Sequence, residues 1–204
     1  MAESSETLRL LEKADQGDLG ILAELFARHR VRLERMVELR FDRRLQGRID
    51  VSDVLQESYL EAARSFPAYL RSQRSPFFLW LRCITSRKLV HLHRHHLRAQ
   101  ARSVRREVSL NQRHDLRATS EALAAQLLGH GTSPSEAAVR DERRLRLEAA
   151  LDAMNPMDRE VLVLRHFEHL SAAETAEVLG IGEPAAIKRH VRALKRLKEA
   201  LKSP

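Results

Sequence analysis

The sequence predicts an all-α fold: two small helical domains joined by a flexible linker, the second a four-helix domain with a helix-turn-helix. Apolar residues recur at helical spacing along most of the 204-residue chain. Only 4% of its residues are aromatic, and it has seven glycines, a composition typical of helical proteins. Capping residues, prolines and glycines separate the helical segments, and no stretch shows the alternation of strands.

The charge pattern indicates a polyanionic partner. The net charge is +8, and no acidic residue occurs between Glu61 and Glu107, although this interval is rich in arginine. A second basic segment lies near the C-terminus, so we expect two contacts with nucleic acid. The single cysteine, Cys83, fits a reducing cytoplasm, and we expect it to be a small core residue. No signal segment or membrane-spanning run is evident.

The first half, residues 1–98, is predicted to form four helices. They are a short helix from Ser5 to Lys13, a long one from Asp18 to about Gln46, a third from Asp53 to Ser65 capped by Asp50 or Ser52, and a long basic helix from Pro76 to Gln100. Punctuation by Pro67 and Pro76 predicts a loop from Phe66 to Pro76. Residues 99–133 are predicted to be a linker with one short helix near Ser120 to Leu128.

The second half, residues 134–204, carries stronger local signals. Ser133-Pro134 and Asn155-Pro156 are each predicted to begin a helix. Ser171 and Glu174 form a capping box at the start of the next helix, Gly180 supplies the turn, and Glu183-Pro184 begins the last helix. This order of a capped helix, a glycine turn and a basic helix is typical of a helix-turn-helix.

The last helix is predicted to have one apolar face and one basic face. Ala186, His190, Ala193, Leu194, Leu197 and Leu201 fall on one side at 100° per residue. The cations fall on the other side, where small residues at the N-terminal end suit entry into a major groove. A solvated cationic surface is the simpler alternative.

The run MNPMDREVLVLRHFEHLSAAETAEVLG, with the basic helix after it, resembles the C-terminal promoter-reading domain of bacterial sigma factors. The chain is similar to the two-domain extracytoplasmic-function (ECF) sigma factors of the sigma-70 family. The resemblance implies that the last helix reads the −35 promoter element. We expect its contacts to come from Glu183, Ala185, Lys188, Arg189, Arg192, Lys195 and Arg196.

The first half resembles the same family in two places. The run DVSDVLQESYLEAARSF is similar to the segment that docks on RNA polymerase, which implies contacts by Asp50, Asp53, Gln56 and Glu57. A helix whose early acids favour the helix dipole is the alternative. The F-x-x-W-L…I run resembles the segment that opens and holds the −10 element, with a base-capturing loop at Tyr69 to Ser75. It implies DNA contacts by Tyr69, Arg71, Arg74, Phe78, Arg82, Arg87, Lys88 and Arg94.

Two features qualify the −10 assignment. We expect Tyr69 and Phe78 to be exposed enough to stack on bases, and Trp80 to lie in the core because it shares the apolar stripe. Many family members carry Asn at the position of Arg87, so the resemblance fixes the fold but not the exact DNA contacts at this position.

The resemblance implies the partners. They are core RNA polymerase, through its β′ clamp helices and β flap, promoter DNA, and an anti-sigma factor that would cover the DNA-binding faces. It implies a cytoplasmic protein without catalytic residues or a cofactor, whose linker threads through the polymerase. A free flexible tether is the other interpretation of the linker.

The sequence leaves two other functions to consider. A stand-alone LuxR-like regulator would bind duplex DNA as a dimer, but it would not need the acid-free segment. A metal-dependent enzyme could use His91 and His95, which are one helical turn apart. No carboxylate lies near them and the surroundings are cationic, so we expect no metal site.

Overall fold

The computed structural model describes residues 5–15, 20–41, 47, 49–101, 118–128 and 137–200, and the described residues are helical with short connections. This confirms the all-α fold class. The chain divides into two compact units, Met1–Leu116 and Arg117–Pro204. The division falls inside the stretch predicted to be a linker, most of which, like the Ser133-Pro134 cap, lies outside the described residues. The domain limits proposed above therefore stay a prediction.

The first unit contains four helices: α1 (Ser5–Asp15), α2 (Ile21–Glu38), α3 (Val51–Ser72) and α4 (Phe77–Ala101). Helices α2, α3 and α4 pack against one another, and α1 packs on α2 and α3. The core is formed by fully buried side chains from α2 to α4: Leu25, Leu33, Met36, Val37, Val54, Ala62, Phe77, Leu81 and Leu89. Helix α2 ends earlier than predicted, and residues 42–46 lie outside the described part of the chain.

The predicted loop from Phe66 to Pro76 is wrong. Helix α3 continues through Pro67 to Ser72, and only residues 73–76 connect it to α4. A proline inside a helix costs about 3 kcal/mol. Burial of an aromatic side chain returns about 2–3 kcal/mol, and two of them, Phe66 and Tyr69, lie on the inner face of this last part of α3. Tertiary packing therefore outweighs the local signal of the proline.

An aromatic cluster joins the end of α3 to the start of α4. The ring of Tyr69 stacks on that of Trp80 with 4.5 Å between centroids, and Phe66 and Phe77 pack beside them. The hydroxyl of Tyr69 donates to the carbonyl of Ser75 at 3.1 Å. These contacts hold the short connection in place.

Cys83 of α4 is exposed, so the expectation that it is a core residue is wrong.

The second unit contains α5 (Ser120–Leu128), α6 (Ala137–Ala153), α7 (Pro156–Leu162), α8 (Ala172–Leu179) and α9 (Glu183–Ala200). Helix α7 continues into a π-helical turn, Val163–Phe167. The short helix predicted inside the linker is α5, and it packs against α6 within this unit. Helix α9 packs on both α7 and α8. Two of the predicted caps are present, since Asn155 caps α7 and the Ser171–Glu174 box caps α8.

The turn of the helix-turn-helix depends on Gly180. This residue has a φ of 65°, in the left-handed region, and its N–H donates to the carbonyl of Glu177. We expect Gly180→Ala to lower the free energy of unfolding by about 1 kcal/mol, because a Cβ is strained at positive φ even where space is open. Denaturant unfolding of the full chain measures this.

Gly182→Ala is the matched control for this prediction. An added Cβ there would meet only Cδ of Pro184, at an ordinary 3.9 Å, and no positive φ is involved. We expect a smaller loss, and equal losses at the two positions would contradict the argument.

A second prediction concerns His29, which is 8% exposed between the rings of Phe77 and Phe78. Its Nε2 has no hydrogen-bond partner among the described residues. Burial, and then the charges of Arg32 and Arg28, lower the pKa of His29 to about 4. Because the unfolded chain binds this proton near pH 6.5, stability is full above that pH and falls as the pH approaches 4, by up to about 3 kcal/mol.

His29→Leu should reduce this loss of stability between pH 7 and pH 4.5, as measured by denaturant midpoints. His91→Leu, at an exposed position of α4, controls for the loss of a histidine as such. An unchanged pH dependence in His29→Leu would contradict the assignment.

Candidate nucleic-acid interface

Helix α9 shows two distinct sides. Ala186 and Ala193 are buried against the rest of the second unit. At 100° per residue, Lys188, Val191 and Lys195 lie on the opposite side, and all three are exposed. We call these three residues the outward face. Glu183 and Ala185 are exposed at the N-terminal end of the helix, and the cations Lys188 and Lys195 face solvent further along it.

Three arginines of α9 converge on one buried carboxylate. Asp158 of α7 has no exposed surface. Its Oδ1 accepts from Nη1 of Arg189 at 3.2 Å and from Nη2 of Arg192 at 3.3 Å, and its Oδ2 accepts from Nη1 of Arg196 at 2.8 Å. We call the three arginines, Arg189, Arg192 and Arg196, the arginine flank. Two of the arginine side chains are about half exposed, and Arg189 is 29% exposed.

The structure therefore divides the five cations among the predicted −35 contacts into two groups. The outward face is directed away from the unit, and the arginine flank lies beside it, tied to α7. Sequence reasoning placed Lys188 and the three arginines on one basic face and did not identify Asp158. The available signal was an acid at the start of a predicted helix, which is normally explained by the helix dipole.

A pair of histidines also joins α9 to the preceding segment. Nε2 of His166 and Nε2 of His190 lie 2.8 Å apart, so one ring donates a hydrogen bond to the other. Partial burial lowers the pKa of both histidines; nearby charge from Arg165 and His169 adds to this at His166, and charge from His166 and Arg165 adds to it at His190. The sequence placed His190 on the apolar side of α9, but it did not predict the partner.

The predicted −10 contacts are spread over very different environments. Arg71, Arg74 and Arg87 are exposed, and Lys88 and Arg94 are half-buried. Arg82 is 9% exposed, which sequence reasoning did not anticipate. These residues come from the end of α3, the connection after it and α4, and the predicted base-capturing loop, Tyr69 to Ser75, is helical as far as Ser72.

The expectation that Tyr69 and Phe78 are exposed is wrong. They are 5% and 2% exposed. Tyr69 belongs to the aromatic cluster, and the guanidinium of Arg32 covers the ring of Phe78 at 3.6 Å from its centroid. Trp80, expected in the core, is half-buried and stacks on Tyr69. An aromatic side chain with a partly accessible surface at this end of α4 is therefore Trp80.

The predicted polymerase-docking residues lie at the start of α3, and all four are exposed. Asp50 and Asp53 form a reciprocal capping box, each side chain accepting from the backbone N–H of the other at 2.9 and 2.8 Å. One turn later, Glu57 and Glu61 approach Nζ of Lys88 at 3.8 and 3.1 Å. Lys88 lowers the pKa of Glu61. A predicted DNA contact is thus paired with the acidic side of the docking helix.

Two properties of the described residues bear on the other functions. Within the described ranges, no group of three or more histidine, cysteine, aspartate or glutamate side chains could hold a metal ion. None of the helices described is long and apolar enough to cross a membrane. The absence of a metal site and of catalytic residues stays a prediction.

Comparison with known proteins places these features in context. Residues 144–197 match the family described as "Sigma-70, region 4". The chain is 28% identical over 200 residues, 96% of its own length and 67% of the relative's, to BldN of Streptomyces coelicolor, described as an ECF RNA polymerase sigma factor. The structure of CnrH in complex with the cytosolic domain of CnrY is similar in fold. It covers 95% of this chain and 96% of that chain, with 24% identity and a TM-score of 0.55.

RpoE in complex with the anti-sigma factor NepR from Bartonella quintana aligns over 89% of this chain and 96% of that chain, at 18% identity and a TM-score of 0.47. The region-4 match covers α7, α8 and most of α9, which is the part of the chain that contains the capped helix-turn-helix and the arginine flank.

The histidine pair leads to a prediction about pH. A neutral pair shares a hydrogen bond worth about 1 kcal/mol, and a pKa lowered on folding means that this stability is present above about pH 6.5 and lost as the pH falls. We expect His166→Ala and His190→Ala to show a coupling energy of about 1 kcal/mol at pH 7.5 in a double-mutant cycle. The coupling should be smaller at pH 5. Equal coupling at both pH values would contradict the hydrogen bond.

Proposed function

The chain belongs to the ECF group of the sigma-70 family of RNA polymerase sigma factors, and from this membership we propose that its two units make the two promoter contacts of that family. The chain directs core RNA polymerase to promoters and initiates transcription from them. We propose that it has no catalytic residues of its own and acts in the cytoplasm, where the polymerase works.

The second unit reads the −35 element in this proposal. Its helix-turn-helix presents α9 with an exposed N-terminal end and cations along its exposed surface. A helix of this kind fits the major groove, where base edges are distinguishable. The single observation that carries the proposal is this capped helix-turn-helix lying within the sigma-70 region 4 match.

The first unit docks on the polymerase and holds the melted −10 element in this proposal. Exposed acids at the start of α3 would contact the β′ clamp helices, and exposed arginines at the end of α3 and along α4 would bind phosphates of the single strand. Because Tyr69 and Phe78 are core residues, we propose Trp80 as the aromatic side chain that an extruded base would reach in this region.

Other partners are also part of the proposal. The β flap would receive the second unit, and an anti-sigma factor would compete for its surfaces, as in the family in general. A stand-alone LuxR-like regulator is not favoured, because the similarity to an ECF sigma factor spans 96% of the chain and includes the first unit. A metal-dependent enzyme has no supporting ligand cluster in the described ranges.

In vitro transcription tests the proposal directly. Purified chain and bacterial core polymerase are incubated with a library of promoter fragments randomised in the −35 and −10 regions. We expect transcripts from a defined subset that share two sequence elements. Tight duplex binding by a dimer, without transcription in the presence of core polymerase, would favour the LuxR-like alternative instead.

Charge reversal on the outward face gives the first specific prediction. We expect Lys188→Glu to lower transcription from −35-dependent promoters at least about tenfold, the effect of losing about 1.4 kcal/mol, with core-polymerase binding unchanged. Lys188 is chosen because reversal at Arg192 would place a second carboxylate beside buried Asp158. Arg143→Glu, at an exposed position of α6, is the matched control. Loss of core binding in Lys188→Glu would contradict the domain assignment.

Charge reversal at the proposed docking residues of α3 gives the second prediction. Glu57→Lys should weaken binding to core polymerase, measured by co-elution or fluorescence anisotropy, because it reverses an exposed charge on the proposed docking surface. Glu24→Lys changes an exposed acid of α2 and should bind as the wild type does. Normal binding by Glu57→Lys together with weakened binding by Glu24→Lys would place the docking surface elsewhere.

A further inference from the structure

The fully buried Asp158 requires an explanation beyond local helix capping. A carboxylate removed from water is strongly unfavourable unless charged donors surround it. Here three guanidinium groups approach its two oxygens at 2.8 to 3.3 Å, and all three come from α9. One negative charge therefore faces three positive ones, and the cluster keeps a surplus of positive charge next to the proposed DNA-binding surface.

The arginines of this flank retain donors for a second partner. Each guanidinium has five N–H donors in a fixed plane. One nitrogen of each guanidinium donates to Asp158. Arg192 and Arg196 are about half exposed. Positions 189, 192 and 196 follow i, i+3, i+7 spacing, so the three side chains form one row along the side of α9.

The row is badly placed for reading bases. For an arginine to discriminate between bases, two donors of its guanidinium must point at base edges on the floor of the groove. In the arginine flank each guanidinium is directed towards α7, at the side of the helix. A phosphate beside the groove accepts a donor from this direction, and it supplies affinity and position without sequence information.

We propose that Asp158 is a specificity-determining positioning residue that holds the arginine flank as a set of phosphate contacts and leaves base reading to the outward face. This rests on the proposed −35 function of the second unit. In the outward face, Lys188 and Lys195 match guanine acceptors, and the exposed methyl groups of Val191, which is 47% exposed, match the thymine methyl group.

The first test compares substitutions on the two surfaces of α9. Holoenzyme is assembled from the full chain and core polymerase, and promoters are selected from a library randomised only in the −35 region. We expect Arg196→Gln to lower transcript output by the same factor, within twofold, for every −35 sequence. Lys188→Gln should instead change the preferred base at one or two positions. A changed base preference in Arg196→Gln would overturn the inference.

The second test removes the carboxylate charge. In Asp158→Asn the arginines are free to reach phosphates of any sequence, so output from the selected promoters relative to scrambled −35 controls should fall at least fivefold. Circular dichroism and core-polymerase binding verify that the variant is folded. A folded Asp158→Asn that discriminates as the wild type does would overturn the inference.

The outcomes separate this inference from the function on which it rests. Should Asp158→Asn not fold, the comparison of Arg196→Gln with Lys188→Gln decides the matter, since neither variant leaves a buried charge without partners. If the wild-type chain gives no promoter-specific transcripts with core polymerase, the proposed function fails, and the inference fails with it. If the wild type is selective and Arg196→Gln alters its base preference, the inference alone fails.

Discussion

The need to neutralise one buried carboxylate constrains the second unit more than any other single contact. Packing defines the rotation of α9 only loosely, because its buried residues in the described part of the chain, Ala186 and Ala193, are small. The three hydrogen bonds to Asp158 fix the rotation of α9 relative to α7. The orientation of the proposed reading surface thus follows from electrostatics inside the unit, and the arginines contribute to stability and to DNA binding at once.

In the first unit, contacts between α3 and α4 likewise hold the proposed functional surfaces in place. Its aromatic cluster holds the end of α3 against the start of α4 firmly enough that the helix accepts Pro67 in its interior. Lys88 then pairs with Glu57 and Glu61 across the same two helices. Proposed polymerase docking on α3 and proposed DNA binding on α4 are therefore carried by helices that share a core.

Local signals in the sequence predicted the second unit well. The capping box at Ser171, the turn at Gly180 and the cap at Asn155 each depend on residues no more than four positions away, and each lies where the sequence predicts it. The failures involve contacts between distant residues. Pro67 predicts the end of a helix by local rules, but these rules take no account of the packing of Phe66 and Tyr69 against distant residues. Cys83 and Phe78 were assigned to the wrong environments because the long α4 helix has apolar residues on more than one side.

The distribution of arginine and lysine on α9 is informative for the same reason. An ammonium group is a compact point charge, and it cannot hold a buried carboxylate in one direction while presenting a planar set of donors in another. Arginine can do both, and arginines occupy all three positions that face Asp158, whereas lysines occupy the outward positions 188 and 195. The choice of cation at each position therefore separates arginines that stabilise the unit from exposed lysines that, in the proposed complex, face the bases of the promoter.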